Sequence, residues 1–507
     1  MPPVLRRWVF LGHRWLGIGL AVFMLLWFVS GVVMLYVGYP KWTQAERLAA
    51  LPPLAEPAAP LDWPRLATAL AGQQPDAIRL TSVAGQPRLI VSGPGKRVRA
   101  LDWQGQSLPG ADAAAALAAA QALFPQSPVR EQGLVDEDAW THSKALDPLR
   151  PLYRVQVTHP ADTLLYVSAQ TGEVVRDASA LERNWNWVGA WLHWLYPLRG
   201  GLLDAWWADI VITLSLLGCL LSVSGLWIGL LRWRMFGRFP NGSRSPYRPA
   251  WMRWHHWLGL GAGLLTLTWV FSGLMSMNPW KMFDSHALKP RSQAMAGASL
   301  AQAPFALSPW PGIASLAQQG FLAREVHWRV IAGQGHYQAL DGMGRSRLWA
   351  AQANAPMRLR LSAVELEHAG QALLPSKVAR AEWLSHYDFY YYSRAAHTMG
   401  GHQDKPLPVL RLQFADANAT WVHLDPYSGT LLNSLDQHGR LKRWLFALLH
   451  SWDWLPLLSQ RPLWDGVMIA ASLGGTGLSL TALVIGWHRL RRRAPLGQNT
   501  HPARKPA

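Results

Sequence analysis

The chain has 507 residues, half of them apolar, with 30 tryptophans, only 15% charged residues and a formal net charge of +18. So little charge with so much tryptophan argues against a soluble enzyme and for a membrane protein with aromatic belts at its interfaces, while a mean hydropathy of +0.02 excludes a bundle of spans from end to end. The single cysteine, Cys219, excludes an intrachain disulfide and a cysteine-ligated zinc or iron–sulfur centre within one chain.

Residues 1–39 hold the N-terminus and a first apolar span from Trp15 to Tyr39. Arg6 and Arg7 ahead of an apolar core could signal a cleaved leader. The core is too long for that and lacks a small-residue cleavage site, so it reads as a retained anchor. Residues 40–182 form a first polar domain behind a Pro- and Ala-rich linker. Its alternating stretches at 78–81, 88–91, 97–102, 153–157, 164–168 and 173–175 predict strands, and the alanine-rich run 113–124 predicts a helix.

Residues 183–231 combine an amphipathic interfacial segment, with Trp185, Trp187, Trp191, His193 and Trp194, and a second span from Trp207 to Leu231. A loop over 232–254 leads to a third span within 255–277. A second α+β domain occupies 278–440. Residues 441–488 again pair an interfacial segment with a span, Trp464 to Trp487, and 489–507 form a tail.

The chain repeats itself, which has to be settled before the fold is read. His13-Arg14-Trp15-Leu16-Gly17-Ile18-Gly19, running on to Trp27 and Ser30-Gly31, returns as His255-His256-Trp257-Leu258-Gly259-Leu260-Gly261, running on to Trp269 and Ser272-Gly273. Aligning His193 with His450 places Trp207 on Trp464, Ser215 on Ser472 and Gly229 on Gly486. The expected architecture is therefore an α-helical membrane protein with four transmembrane helices and two α+β domains, arranged as an internal repeat.

Arginines set its orientation. Arg6, Arg7 and Arg14 precede the first span. Arg232, Arg234, Arg238, Arg244, Arg248 and Arg253 lie between the second and third, and Arg489, Arg491, Arg492, Arg493, Arg504 and Lys505 follow the fourth. No acid interrupts the last two groups. By the positive-inside rule both termini and the middle loop are cytoplasmic, and the two large domains face outward. Anionic lipid accounts for the charge without nucleic acid.

The His-x-Trp-Leu-Gly-x-Gly opening of a span, with Ser-Gly near its far end, resembles the PepSY-associated transmembrane family. The strand-turn-strand pieces at 165–174 and 422–431 are similar to the end of a PepSY domain. Leu449-His450-Ser451-Trp452-Asp453 and Arg461-Pro462-Leu463-Trp464-Asp465 also match the family. The resemblance implies two PepSY-like periplasmic domains on a bacterial inner-membrane protein. It further implies two b-type haems and electron transfer from a separate cytoplasmic donor to a periplasmic acceptor, of which a ferric siderophore or another ferric chelate is the foremost. A non-redox PepSY membrane protein that binds or regulates an envelope partner is the alternative.

Haem b takes one or two axial imidazoles. The candidates are His13 with His255, at equivalent mouths of spans one and three, and His193 with His450, in the two interfacial segments. Glycines one turn on, Gly17 and Gly259, and alanines three residues earlier, Ala190 and Ala447, would clear a face for a flat macrocycle. His256 and His488 are alternates for the first pair, or polar residues of the interface. His386, Tyr390, His397 and His402, around the run Tyr387–Tyr392, are candidate acceptor contacts, the rival reading of that run being an amphipathic strand. No Gly-rich dinucleotide turn, Walker loop or His-Glu-x-x-His motif occurs in a fitting context, so the electron donor is expected to be a separate molecule.

Overall fold

The computed structural model describes residues 2–56, 62–72, 74–93, 95, 97–102, 104–159, 161–199, 201–398 and 404–491. They form two compact units: a helical one built from the residues up to Leu35, Trp187–Asp284 and the residues from Leu441, and a sheet unit built from Tyr36–Asn186 and Ser285–Arg440.

Four helices of the helical unit are long and apolar enough to cross a membrane: α1 (Pro3–Tyr36), α2 (Trp207–Arg232), α3 (Ala250–Ser276) and α4 (Arg461–Arg491). Three of them run beyond the apolar stretches at their arginine-rich ends. There the arginines lie over aromatic rings of the same or a neighbouring helix: Arg6 5.8 Å and Arg232 5.1 Å from Phe10, Arg253 5.4 Å from Trp257, and Arg491 4.3 Å from Trp487. Helical hydrogen bonding can continue through the interface because long basic side chains cover apolar surface and keep their charge in water.

With no hydrophobic force between spans in lipid, small residues let the helices approach. Gly218 of α2 faces Val270 of α3, where an added Cβ would stand 2.9 Å from Cγ1, and Gly475 of α4 faces the Phe28 ring of α1, where a Cβ has no room. Leu20, Met24, Phe28 and Val270 form the buried centre, flanked by Trp27 and Trp269.

The sheet unit holds three antiparallel sheets. Strands β1 (Ala77–Val83), β2 (Gln86–Ser92) and β3 (Val98–Leu101) come from the first polar stretch, as do β4 (Val129–Val135), β5 (Leu152–Val157), β6 (Thr163–Ser168) and β7 (Val174–Ala178). The second supplies β8 (Ala323–Ile331), β9 (Gln334–Asp341), β10 (Ser346–Ala350), β11 (Val378–Leu384), β12 (Val409–Phe414), β13 (Trp421–Asp425) and β14 (Thr430–Leu435). β4 to β7 form one four-stranded sheet and β11 to β14 another. The third, in the order β10-β9-β8-β1-β2-β3, draws on both stretches. The stretches expected as separate domains, 40–182 and 278–440, thus share a sheet. The register Arg79↔His327 and Leu80↔Val326 joins them. Pairing β1 with β8 covers two edges that would otherwise present unpaired backbone groups. Helices Trp63–Gly72 and Trp310–Gln318 put Leu66, Leu70, Ile313 and Leu316 into the core over this sheet.

Charge reinforces the junction. Glu325 on β8 is fully buried. Its carboxylate accepts hydrogen bonds from Arg47, from Arg79 of β1 at 2.7 Å and from Thr81 at 3.1 Å, and Arg79 also reaches Glu173 at 2.7 Å. Burial alone would raise the Glu325 carboxyl, but Arg79, His327 and Arg47 hold it well below the usual carboxylate range.

A second tie between the stretches is more exposed. His397 meets Glu46 at 2.6 Å and Glu182 at 3.4 Å, and its carbonyl accepts the Gly38 N–H at 2.8 Å. A side chain at position 38 would strike that carbonyl. The hydrogen bond to Glu182, together with Glu46, raises His397 to about 9. A histidine raised on folding stabilises fully below its unfolded value, about 6.5, and that contribution fades as pH climbs through 9. The expected outcome is that the melting temperature of the protein in lipid nanodiscs drops by a few degrees between pH 6.5 and 9.5. His397→Gln should remove this drop and lower the melting temperature at pH 6 only. Parallel curves for the two proteins would refute the tie.

Candidate functional site

The structure brings the four repeat-related histidines together in two pairs. The ring centroids of His13 and His255 are 6.5 Å apart, and those of His193 and His450 are 6.1 Å apart. Two imidazoles that share a metal at about 2 Å from each nitrogen have centroids roughly 6 Å apart.

Every ring of the two pairs is oriented through Nδ1 by a hydroxyl. Ser30 of α1 bonds His193 and Ser272 of α3 bonds His450, both at 3.0 Å. Ser224 of α2 bonds His13 at 3.1 Å, with the Leu221 carbonyl at 3.2 Å, and Thr481 of α4 bonds His255 at 3.0 Å. With Nδ1 hydrogen-bonded, Nε2 is the nitrogen of each ring that could ligate a metal. A partner on the second ring nitrogen fixes tautomer and ring orientation, as ligating histidines require.

His13 and His255 ride on α1 and α3 and need only helical geometry. Gly225 admits His13 closely: a Cβ there would stand 2.7 Å from the His13 Cε1. His193 and His450 need a special backbone. Each lies two residues past a wider π-helical turn, Trp187–Trp191 or Arg443–Leu448, and two residues before a left-handed residue, Leu195 at φ 54° or Trp452 at φ 47°. A π turn shifts the phase of the side chains that follow, and such turns recur at functional sites. A left-handed tryptophan is an uncommon conformation, held only where the surroundings over-determine it.

Indoles supply that restraint. Trp207 Nε1 donates to the Trp194 carbonyl at 2.8 Å, Trp464 Nε1 to the Ser451 carbonyl at 3.1 Å, and Trp27 Nε1 to the His193 carbonyl at 3.1 Å. Arg443 and Asp453, both buried, form an ion pair at 2.7 Å across the second turn.

Several expected contacts fall elsewhere. Gly17 and Gly259 face leucines: an added Cβ would be 3.6 Å from Leu221 and 3.8 Å from Leu478, so these glycines pack neighbouring helices. Like Gly225, Gly31 and Gly273 lie against rings of the pairs, with an added Cβ 3.6 Å from His193 Cε1 and 4.0 Å from His450 Cε1. Ala190 is buried within its π turn and Ala447 is half-buried. His256 is buried with both nitrogens occupied, Nδ1 by Ser245 at 2.8 Å and Nε2 by the Gly229 carbonyl at 2.9 Å. It acts as a structural link between α3 and the α2–α3 loop. His488 is exposed in the last turns of α4.

The run Tyr387–Tyr392 is a turn and not a strand. The Asp388 carboxylate accepts the N–H groups of Tyr390 and Tyr391 at 2.9 and 2.7 Å, which curls the chain, and Arg411 anchors that carboxylate at 2.6 Å. Side-chain capture of backbone N–H groups offers an alternative to a strand ladder. His386 is exposed, Tyr390 packs edge-on to Trp421 at 5.2 Å, and His397 is taken up by its two carboxylates. His402 lies outside the described residues. Among the described residues no cluster of three or more His, Cys, Asp or Glu side chains could hold a bare metal ion.

The hydroxyls that hold the four rings are residues that motif reading passes over. Ser30 and Ser272 stand in the repeated Ser-Gly pairs, which marks them without revealing their partner. Ser224 and Thr481 align with each other only once His193 is set on His450, and they differ in residue type.

Comparison with curated proteins finds no match. The profile of the PepSY-associated TM region matches residues 10–353, which includes most of α1, all of α2 and α3, and three of the four paired histidines. This protein, a membrane protein with four apolar helices and a sheet-rich α+β unit, belongs to the PepSY-associated transmembrane family.

Proposed function

We propose that this protein is a di-haem electron carrier of the bacterial inner membrane, which reduces a ferric siderophore or a similar ferric chelate on the periplasmic side. The carrying observation is the pair of histidine pairs, each at the spacing of a bis-imidazole site and each ring oriented through Nδ1 by a hydroxyl. His13 and His255 would hold one haem b, and His193 and His450 the other. Bound haem would supply reversible one-electron chemistry at iron.

The residues suit that group. A haem iron asks for two axial donors, and each pair offers two imidazoles with the proton-bearing nitrogen turned away into a hydrogen bond. Along α1 and α3, the stretch from His13 to Ser30 and from His255 to Ser272 covers about 25 Å of helix at 1.5 Å per residue. The pairs therefore sit near opposite faces of a hydrocarbon core about 30 Å thick. Arginines at the His13/His255 end support a reading in which that end and both termini are cytoplasmic and the large polar stretches are periplasmic.

A donor on the cytoplasmic side would be a separate molecule. On the outer side, reduction to iron(II) weakens hard oxygen ligation. The exposed His386 and half-buried Tyr390 remain the candidate acceptor contacts.

A pyridine haemochrome assay on protein made with ample haem should give about two haems b per chain. His193→Ala or His450→Ala should lose one haem and keep the other. His13→Ala or His255→Ala should do the reverse, whereas His256→Ala should keep both. Ser30→Ala and Ser272→Ala should keep the haems but shift the potential or spectrum of one, as loss of an orienting hydrogen bond implies. A colourless protein would instead favour a non-redox role in binding or regulating an envelope partner.

Direction is tested in sealed vesicles with the arginine-rich ends inward and reductant trapped inside. External ferric siderophore should yield iron(II), captured by an impermeant chelator, and loss of either histidine pair should stop it. Reduction that persists without the His193/His450 pair would exclude this role for it.

A further inference from the structure

The sheet unit contains a cleft of about 310 Å³ whose walls come from the helix Gln44–Ala50 and its continuation to Pro52, the β1–β2 turn, the helix Ala113–Leu123 and the turn before β7. Its volume lies at the lower end of small-molecule sites, about 300–1,000 Å³. Trp42, Leu51, Val83 and Leu123 supply apolar wall, and Ser82, Arg47, Glu173 and Arg324 supply the polar part. Nothing in the electron-carrier reading uses it.

Two polar atoms of this lining are buried without a hydrogen-bond partner among the described residues, Ser82 Oγ and Arg324 Nε. Ser82 is only 8% exposed. A buried hydroxyl or guanidinium N–H left unmatched is destabilising, so two in one lining call for a partner of complementary chemistry.

The charges say which chemistry. The charged residues of the lining are Arg47, Glu173 and Arg324, and behind them Glu325 and Arg79 pair with the first two. Arg79 is committed to both carboxylates and Arg47 to Glu325. Arg324 donates to the Leu51 carbonyl, which is neutral. His327 beside them is driven down to about 4 by burial and adds no charge at neutral pH. One positive charge is therefore in excess at the lining, and a partly desolvated cation favours an anion at its side.

We propose that this cleft binds a small amphipathic carboxylate, its anionic group on Arg324 and Ser82 and its apolar body against Trp42, Leu51 and Val83. A carboxylate accepts from both the guanidinium and the hydroxyl and also neutralises the guanidinium, which a neutral alcohol does not. The cleft admits a short aliphatic or single-ring acid and no larger chelate, so this ligand differs from the ferric acceptor. The proposal stands independently of the haem assignment.

The test uses the full chain in lipid nanodiscs and isothermal titration with 4-phenylbutyrate as the probe and 4-phenylbutan-1-ol as its uncharged counterpart. Phenylbutyrate should bind saturably at one site per chain, and the alcohol at least about ten-fold more weakly, as loss of a charge-assisted hydrogen bond implies. Arg324→Gln should weaken phenylbutyrate by a similar factor, Ser82→Val by less, and Ala122→Trp, which fills the cleft, should abolish binding. Each variant is compared only where its melting temperature and haem content match the unaltered protein. Should Arg324→Gln fail to fold, Ser82→Val and Ala122→Trp carry the comparison. Absence of saturable binding, equal binding of acid and alcohol, or wild-type affinity in the folded variants overturns the proposal.

Discussion

Inside a bilayer, every polar group must find its partner within the protein, and most features of the helical unit follow from that. The backbone answers it with four long helices. Hydroxyls within them mostly return to the carbonyl a turn back, as Ser222 does to Gly218, Thr266 to Ala262 and Ser479 to Gly475, all at 2.9 Å. Four other hydroxyl side chains also donate to a carbonyl a turn back, and each in addition meets an imidazole. A histidine buried among apolar helices is expensive unless it is hydrogen-bonded, and the hydroxyl supplies such a bond to each ring. At His256 both nitrogens find partners within the protein.

The same requirement shapes the chain around His193 and His450. Neither residue lies within a straight span, so a π turn and a left-handed residue bend the chain to set each beside α1 or α3. The indoles of Trp207, Trp464 and Trp27 then take up carbonyls of the bent segments. Tryptophan is thus used for more than an interfacial belt. Its N–H satisfies backbone groups that the bend leaves without helical partners.

In the sheet unit the organising element is electrostatic. Glu325 lies where strands from the two polar stretches pair, and it is tolerated because two arginines and a threonine surround it. A buried carboxylate with all its partners in place costs little, whereas removing one partner leaves an uncompensated charge. The cluster therefore makes the junction of β1 with β8 intolerant of slippage, since a shift of one residue would turn Glu325 or Arg79 to the opposite face.

By itself the sequence determined the features written in short-range pattern. Apolar length marks the four spans, and alternation marks most strands. His13, His255, His193 and His450 were legible because each occupies a matching place in two copies of one pattern. Other features were decided only by tertiary structure, because they depend on residues far apart in the chain. The pairing of β1 with β8 across more than 200 residues merged what read as two domains. The Asp388 side chain turned a strand-like tyrosine run into a loop. Ser30, Ser224, Ser272 and Thr481 have no motif of their own, since a hydroxyl becomes a histidine's partner only when another helix brings the imidazole within hydrogen-bond reach.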